Sequence, residues 1–253
     1  MTTVQLGDLC MFYEKMGIGE PIIFLHSSYS RGILAFAGQL LDFQKKYTCY
    51  YPDFRGHGKT TCENLKWSTP QLAEDIIHFM NALNITKAHF VGFSLGANVG
   101  LYCAVTDPER VATLTTIGTS GFVDPSGAEE FEPEWLIEKG KVGVIDQMIE
   151  RHEEAHSGDW QTFMRESAKD WRLYPQLSKE QLASIRCGSL FISGENDPFG
   201  GEEKIKYLNS LVKGSRYLLI EGCSHSPHMV RENPVYVNDS ILDFISSNPI
   251  TAE

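Results

Sequence analysis

The segment Gly92-Phe93-Ser94-Leu95-Gly96 constrains this chain more than any other. An apolar run, Ala88–Val91, leads into it, and a helical pattern over Leu95–Val105 leads out. A serine on so sharp a strand-to-helix turn has a strained backbone and an exposed hydroxyl. The chain must pass close to its neighbours there, so the flanking positions must be small, and both are glycine. The alternative is a glycine-rich turn that happens to hold a serine. It leaves the strand before the turn and the helix after it as coincidence.

The rest of the chain keeps the same rhythm, which predicts an α/β fold with a mostly parallel sheet covered on both faces. Strands are expected around Val4 and over Cys10–Lys15, followed by a turn at Gly17–Pro21. Pro21–Leu25 is a short apolar run bounded by turn residues, as a buried strand should be. A helix is expected over Ala37–Lys46 and a strand over Tyr47–Tyr51. The next helix spans Pro70–Leu83, with Thr69 as its cap and Pro70 at its first position. Its apolar face is Leu72, Ile76, Phe79, Met80 and Leu83. Val111–Ile117 reads as a strand.

From Gly121 to Lys179 the strand rhythm stops, and an acidic, aromatic-rich helical pattern predicts an inserted layer. Alternation resumes with Ser189–Ser193, Glu202–Leu211, Arg216–Ile220 and Val235–Ile245. The 253 residues are expected to form one domain.

A formal net charge of −11 disfavours nucleic acid and anionic membrane surfaces as partners. A small neutral or apolar substrate is compatible with it. No apolar stretch reaches about 18 residues, and the start lacks a basic region followed by an apolar run. The six cysteines are widely spaced and include no CxxC pair, so reduced thiols and a cytoplasmic protein are expected. Neither HExxH nor paired Cys/His spacing is present, so no metal and no cofactor is expected.

A serine hydroxyl is a weak nucleophile and needs an adjacent base. His225 is the candidate, in a small-residue loop between a strand and the last helix; His228 is its rival. The base needs a carboxylate to fix its tautomer. Asp197 lies just past the strand Ser189–Ser193, with Glu195 and Asp124 as rivals, and the order Ser…Asp…His favours Asp197. The oxyanion donors are expected to be the N–H of Leu95, after the nucleophile, and of Ser28, in the loop after Ile22–Leu25. His26 is read as that loop's anchor. Aromatics at helical spacing mostly fill a core. Phe93, Trp135 and Trp160 are the candidates to touch substrate.

Taken together, these landmarks resemble the α/β-hydrolase superfamily over nearly the full chain. They are the His26 loop, Asp53-Phe54-Arg55-Gly56-His57-Gly58, the Gly92–Gly96 turn, Asp197-Pro198, and His225 followed by Glu232-Asn233-Pro234. The resemblance is to its serine-nucleophile esterases, enol-lactonases and carbon–carbon bond hydrolases. It implies an eight-stranded sheet with a helical cap over Gly121–Lys179. It also implies that Asp53, Arg55 and His57 hold a loop. Two positions depart from the pattern, since Ser27 and Ser224 stand where glycine is common. Ser94 argues against epoxide hydrolases and haloalkane dehalogenases, which carry aspartate there. The activity implied is cleavage of a small or medium carboxylic ester through an acyl-enzyme. Lactone, thioester or carbon–carbon bond cleavage, perhydrolysis, and a ligand-sensing signalling protein on the same fold stay open.

Overall fold

The structure is a computed structural model and describes residues 2–250. β1 (Thr3–Leu6) and β2 (Leu9–Met16) form an antiparallel hairpin, followed by β3 (Glu20–Leu25). Next come α1 (Gly32–Ala35), α2 (Leu40–Phe43), β4 (Tyr47–Pro52) and the two-residue β5 (Thr61–Cys62). They lead to α3 (Thr69–Ala82), β6 (Ala88–Phe93), α4 (Leu95–Thr106) and β7 (Val111–Ile117). A strand-free stretch holds α5 (Pro133–Glu138), α6 (Val142–His156), α7 (Trp160–Leu173) and α8 (Lys179–Ala183). The chain then returns to the sheet with β8 (Gly188–Gly194), α9 (Glu202–Leu211), β9 (Arg216–Ile220) and α10 (Pro234–Ser246).

The sheet order is β1-β2-β4-β3-β6-β7-β8-β9, with β5 paired to β2. From β4 onward every neighbouring pair is parallel, and only the pairs made by β2 are antiparallel. The short β5 brings the count to nine strands, one more than the eight expected. β3 and β6 lie side by side while β4 and β7 continue in opposite directions from them. The loops at their carboxyl ends therefore diverge and leave a crevice, the usual ligand position in such sheets.

Two apolar layers cover the sheet. One joins its face to α3, α4, α8 and α9 through residues such as Ile76, Val99, Leu182 and Leu208. The other joins the opposite face to α1, α2 and α10 through Ala35, Phe43 and Ile241. β6 is buried along its whole length, which explains why it reads as a continuous run and not an alternation.

Two local expectations fail. The helix expected over Ala37–Lys46 is instead a single turn, α2. Tertiary contacts override the periodicity here. A Cβ on Gly38 would lie 3.0 Å from the His228 carbonyl, and the Gln39 amide reaches across to that carbonyl and to Asn238 Oδ1, at 2.8 Å each. The cap of α3 is Ser68, whose hydroxyl accepts from Gln71 N, and not Thr69. Thr69 is engaged elsewhere: its N–H and hydroxyl donate to the Asp170 carboxylate of α7 at 2.6 and 2.7 Å.

α5, α6 and α7 share an apolar cluster of their own around Leu136, Met148, Phe163 and Met164. α6 breaks its helical geometry at His152 (φ −119°, ψ 18°). At this break Arg151 donates to the Tyr29 carbonyl, and His152 Nδ1 accepts from Gly58 N at 2.9 Å. Burial, with His57 and His26 nearby, pushes the His152 pKa far down, so it docks as a neutral ring. Among the described residues no helix is long and apolar enough to cross a membrane. The cysteines are free thiols, with Cys49, Cys103 and Cys223 buried.

Candidate active site

Ser94 sits at the junction of β6 and α4 with φ 54° and ψ −114°. A serine in this sparsely populated region costs on the order of 1–3 kcal/mol and persists only if its surroundings fix it. They do so from two sides. Ser94 N donates to Ile117 O at 2.8 Å, and Ser94 O accepts from Ala97 N and Asn98 N. Gly96 is held against β3, where an added Cβ would lie 1.9 Å from Leu25 O. That neighbour is backbone and cannot step aside. Gly96→Ala is therefore expected to destabilise the fold by about 3 kcal/mol or more. Urea unfolding checks this, and a midpoint equal to the parent's would contradict it.

The loops after β8 and β9 are tied together by backbone bonds. Glu195 N donates to Ile220 O and Asn196 N to Cys223 O, both at 2.9 Å. These bonds set Asp197 against His225, whose Nδ1 lies 2.9 Å from Asp197 Oδ1. Asp197 is only 6% exposed and also accepts from Phe199 N and the Ser193 hydroxyl. Burial alone would raise its pKa. The bond and charge of His225, with the Phe199 and Gly200 N–H groups, outweigh it and hold the carboxyl below its usual range. Ser224, one of the two unusual positions, anchors the His225 loop by donating through N and Oγ to Glu232.

His225 stands beside the serine turn. Its ring centroid is 5.0 Å from that of Phe93. Gly118 follows the Ile117 whose carbonyl holds Ser94 N, and a Cβ there would lie 2.8 Å from His225 Cε1. Any larger residue would push the imidazole away. Ser94 and His225 line one cavity, and no hydrogen bond joins them among the described residues. With Nδ1 turned to Asp197, Nε2 is the ring nitrogen without a hydrogen bond among the described residues.

The rivals are committed elsewhere. His228 is fully buried, donates from Nε2 to Ala35 O at 3.0 Å, and is pushed down to about 4 by burial. Glu195 accepts from Gly222 N, and Asp124 pairs with Lys204 Nζ at 3.1 Å.

The cavity holds about 240 Å³. Ser28 and Leu95 are both on its wall. Leu95 is the first residue of α4, so its N–H has no partner within the helix. The Ser28 loop is pinned by His26, whose Nδ1 donates to Ser27 O at 2.8 Å and whose Nε2 accepts from Phe54 N at 2.9 Å. Ser27, the other unusual position, has no positive φ; the turn is taken at Tyr29, with φ 60°.

The family profile described as alpha/beta hydrolase fold matches residues 20–173. The chain belongs to the α/β-hydrolase family. It is similar to the putative carbamate hydrolase RutD of Caulobacter segnis, 29% identical over 130 residues, covering 49% of this chain and 48% of that one. It is also similar to 3-oxoadipate enol-lactonase 2 of Acinetobacter baylyi, 26% identical over 150 residues, covering 59% and 56%. The matched stretch thus spans about half the length of these curated relatives. A thermophilic esterase from Thermogutta terrifontis shares the fold, with a TM-score of 0.80, 19% identity, and 98% and 99% of the two chains covered.

In this α/β-hydrolase, Asp53, Arg55 and His57 are bonded as loop-holders. Asp53 accepts from Gly32 N and Lys59 N, Arg55 pairs with Asp75 and Asp8, and His57 donates to Arg55 O. Of the aromatic candidates for substrate contact, Phe93 is on the cavity wall. Trp135 and Trp160 are not: they flank the apolar cluster shared by α5, α6 and α7, the ordinary fate of aromatics at helical spacing. The aromatic wall is made instead by Tyr29, Phe122, Phe131, Trp171, Tyr174 and Phe199. The aromatic-rich stretch Gly121–Lys179 contains four of these, Phe122, Phe131, Trp171 and Tyr174, and helical spacing carries no signal for which of its aromatics face the cavity.

Proposed function

We propose that this hydrolase cleaves small or medium carboxylic esters through an acyl-enzyme on Ser94. The observation that carries the reading is His225, bonded to Asp197 behind it and lining the same cavity as the strained serine. His225 Nε2 takes the Ser94 proton as Oγ attacks the ester carbonyl. The N–H groups of Leu95 and Ser28 receive the charge that builds on the carbonyl oxygen. His225 returns the proton to the leaving alkoxide, giving the free alcohol. Water then repeats the sequence on the acyl group and releases the acid. The enol-lactonase and esterase among the similar proteins support acyl-oxygen cleavage, and a lactone is an internal ester open to the same steps.

A fluorophosphonate is expected to add once to the intact protein, and not to Ser94→Ala, as read by mass spectrometry. Labelling that persists in the variant would place the nucleophile elsewhere. A panel of esters and lactones matched in size then separates the two substrates.

An imidazole base works only when uncharged, so turnover is expected to fall toward acid pH. Asp197 is held below the ordinary carboxylate range, so it stays ionised while His225 takes its proton. A flat rate profile between about pH 5 and 8 would contradict a histidine base.

A further inference from the structure

Two carboxylates, Asp124 and Asp170, line the cavity, and no Lys or Arg does so among the described residues. Asp124 is neutralised by Lys204. Asp170 has no such partner. Its two oxygens accept from the uncharged N–H and hydroxyl of Thr69, and the residue is 4% exposed. The charged residues nearest on its own helix, Glu166 and Lys169, pair with each other at 3.1 Å. Tyr29 and Tyr102 face it from the body of the protein. Burial pushes Asp170 up to about 6, which still leaves it ionised at neutral pH.

The cavity thus contains a fixed negative charge without a counter-ion. It sits beside aromatic rings that attract cations: Trp171 is its sequence neighbour, and Tyr29, Phe131 and Tyr174 share the wall. A carboxylate-bearing substrate would bring a like charge into this confined space and find no cation to meet it. An ammonium group would meet both a carboxylate and π-faces.

We infer that Asp170 makes the cavity select substrates bearing an ammonium group over neutral ones, and neutral ones over those bearing a carboxylate. The inference rests on the reading of this cavity as the hydrolase's substrate site. It adds the substrate's charge class and assigns Asp170 as the residue that sets it.

The test titrates the intact protein at pH 7.5 with three small aromatic probes: phenethylammonium, 2-phenylethanol and phenylacetate. Phenethylammonium is expected to bind about tenfold more tightly than 2-phenylethanol, with phenylacetate weakest. Asp170→Asn keeps an oxygen for Thr69 and removes the charge, so it should bring the three affinities within about threefold of each other. Phenylacetate binding as tightly as 2-phenylethanol would overturn the inference, and so would an unchanged order in Asp170→Asn. If that variant does not fold, the order in the parent protein decides. The probes carry no scissile bond. A wrong order therefore leaves the Ser94 labelling result standing, and failed labelling leaves the binding order readable.

Discussion

Ser94→Ala is expected to hydrolyse a short-chain aryl ester at least about 10⁴-fold more slowly than the parent. Without Oγ no acyl-enzyme forms, and only the oxyanion donors and substrate binding remain. His225→Ala should lose a similar amount, because the hydroxyl is a weak nucleophile without its base. The two losses should not add, since each removes the same step, so the double variant should be about as slow as either single one. Steady-state rates check this, with melting temperatures as the control for folding. Alanine keeps the strained turn at φ 54°, and no buried partner of the hydroxyl is lost, so the melting temperature should stay close to the parent's. Ser94→Ala turnover within tenfold of the parent rate would remove the serine from the mechanism.

Asp197→Asn is expected to lower kcat by roughly 10⁴-fold with KM little changed. The carboxylate accepts from His225 Nδ1 and from Phe199 N on the same oxygen, Oδ1. An amide with its oxygen at that position keeps both bonds but carries no charge, so the imidazolium formed as His225 takes the Ser94 proton loses the carboxylate that stabilises it. The opposite amide orientation turns NH₂ toward both Phe199 N–H and Nδ1, setting two donors face to face and favouring the imidazole tautomer that cannot accept the Ser94 proton. A parent-like kcat in Asp197→Asn would assign the residue to holding the loop alone. The fluorophosphonate should still label this variant, only more slowly, since Ser94 itself is unaltered.

Much of the frame was legible because it depends on local patterns. β3, β6 and β8 are buried on both faces along most of their length, so they read as short, mainly apolar runs between turn residues, and β7 reads as a strand through its β-branched residues. The serine turn was legible because two glycines flank it for a steric reason that the Leu25 carbonyl makes concrete. Other features were hidden because they depend on distant partners. Nothing near Gln39 announces its bonds to His228 and Asn238, yet these go with a helix cut down to one turn. Thr69 looks like a cap, and only the fold brings Asp170 to it while Ser68 takes the capping role. The same limit applies to the cavity wall. Helical spacing identifies an apolar face on α5, α6 and α7 but not which neighbour that face meets, so Trp135 and Trp160 were indistinguishable from Trp171. Asp170 carried no sequence signal, being one acidic residue among many in an acidic stretch.

The break in α6 has a mechanical consequence. Arg151 grips the carbonyl of Tyr29, the residue after Ser28, and His152 grips the amide of Gly58. Adjacent residues of one helix in the inserted layer are therefore fastened to two different loops, one after β3 and one after β4. A displacement of α6 as a unit would have to break both bonds or carry both loops with it.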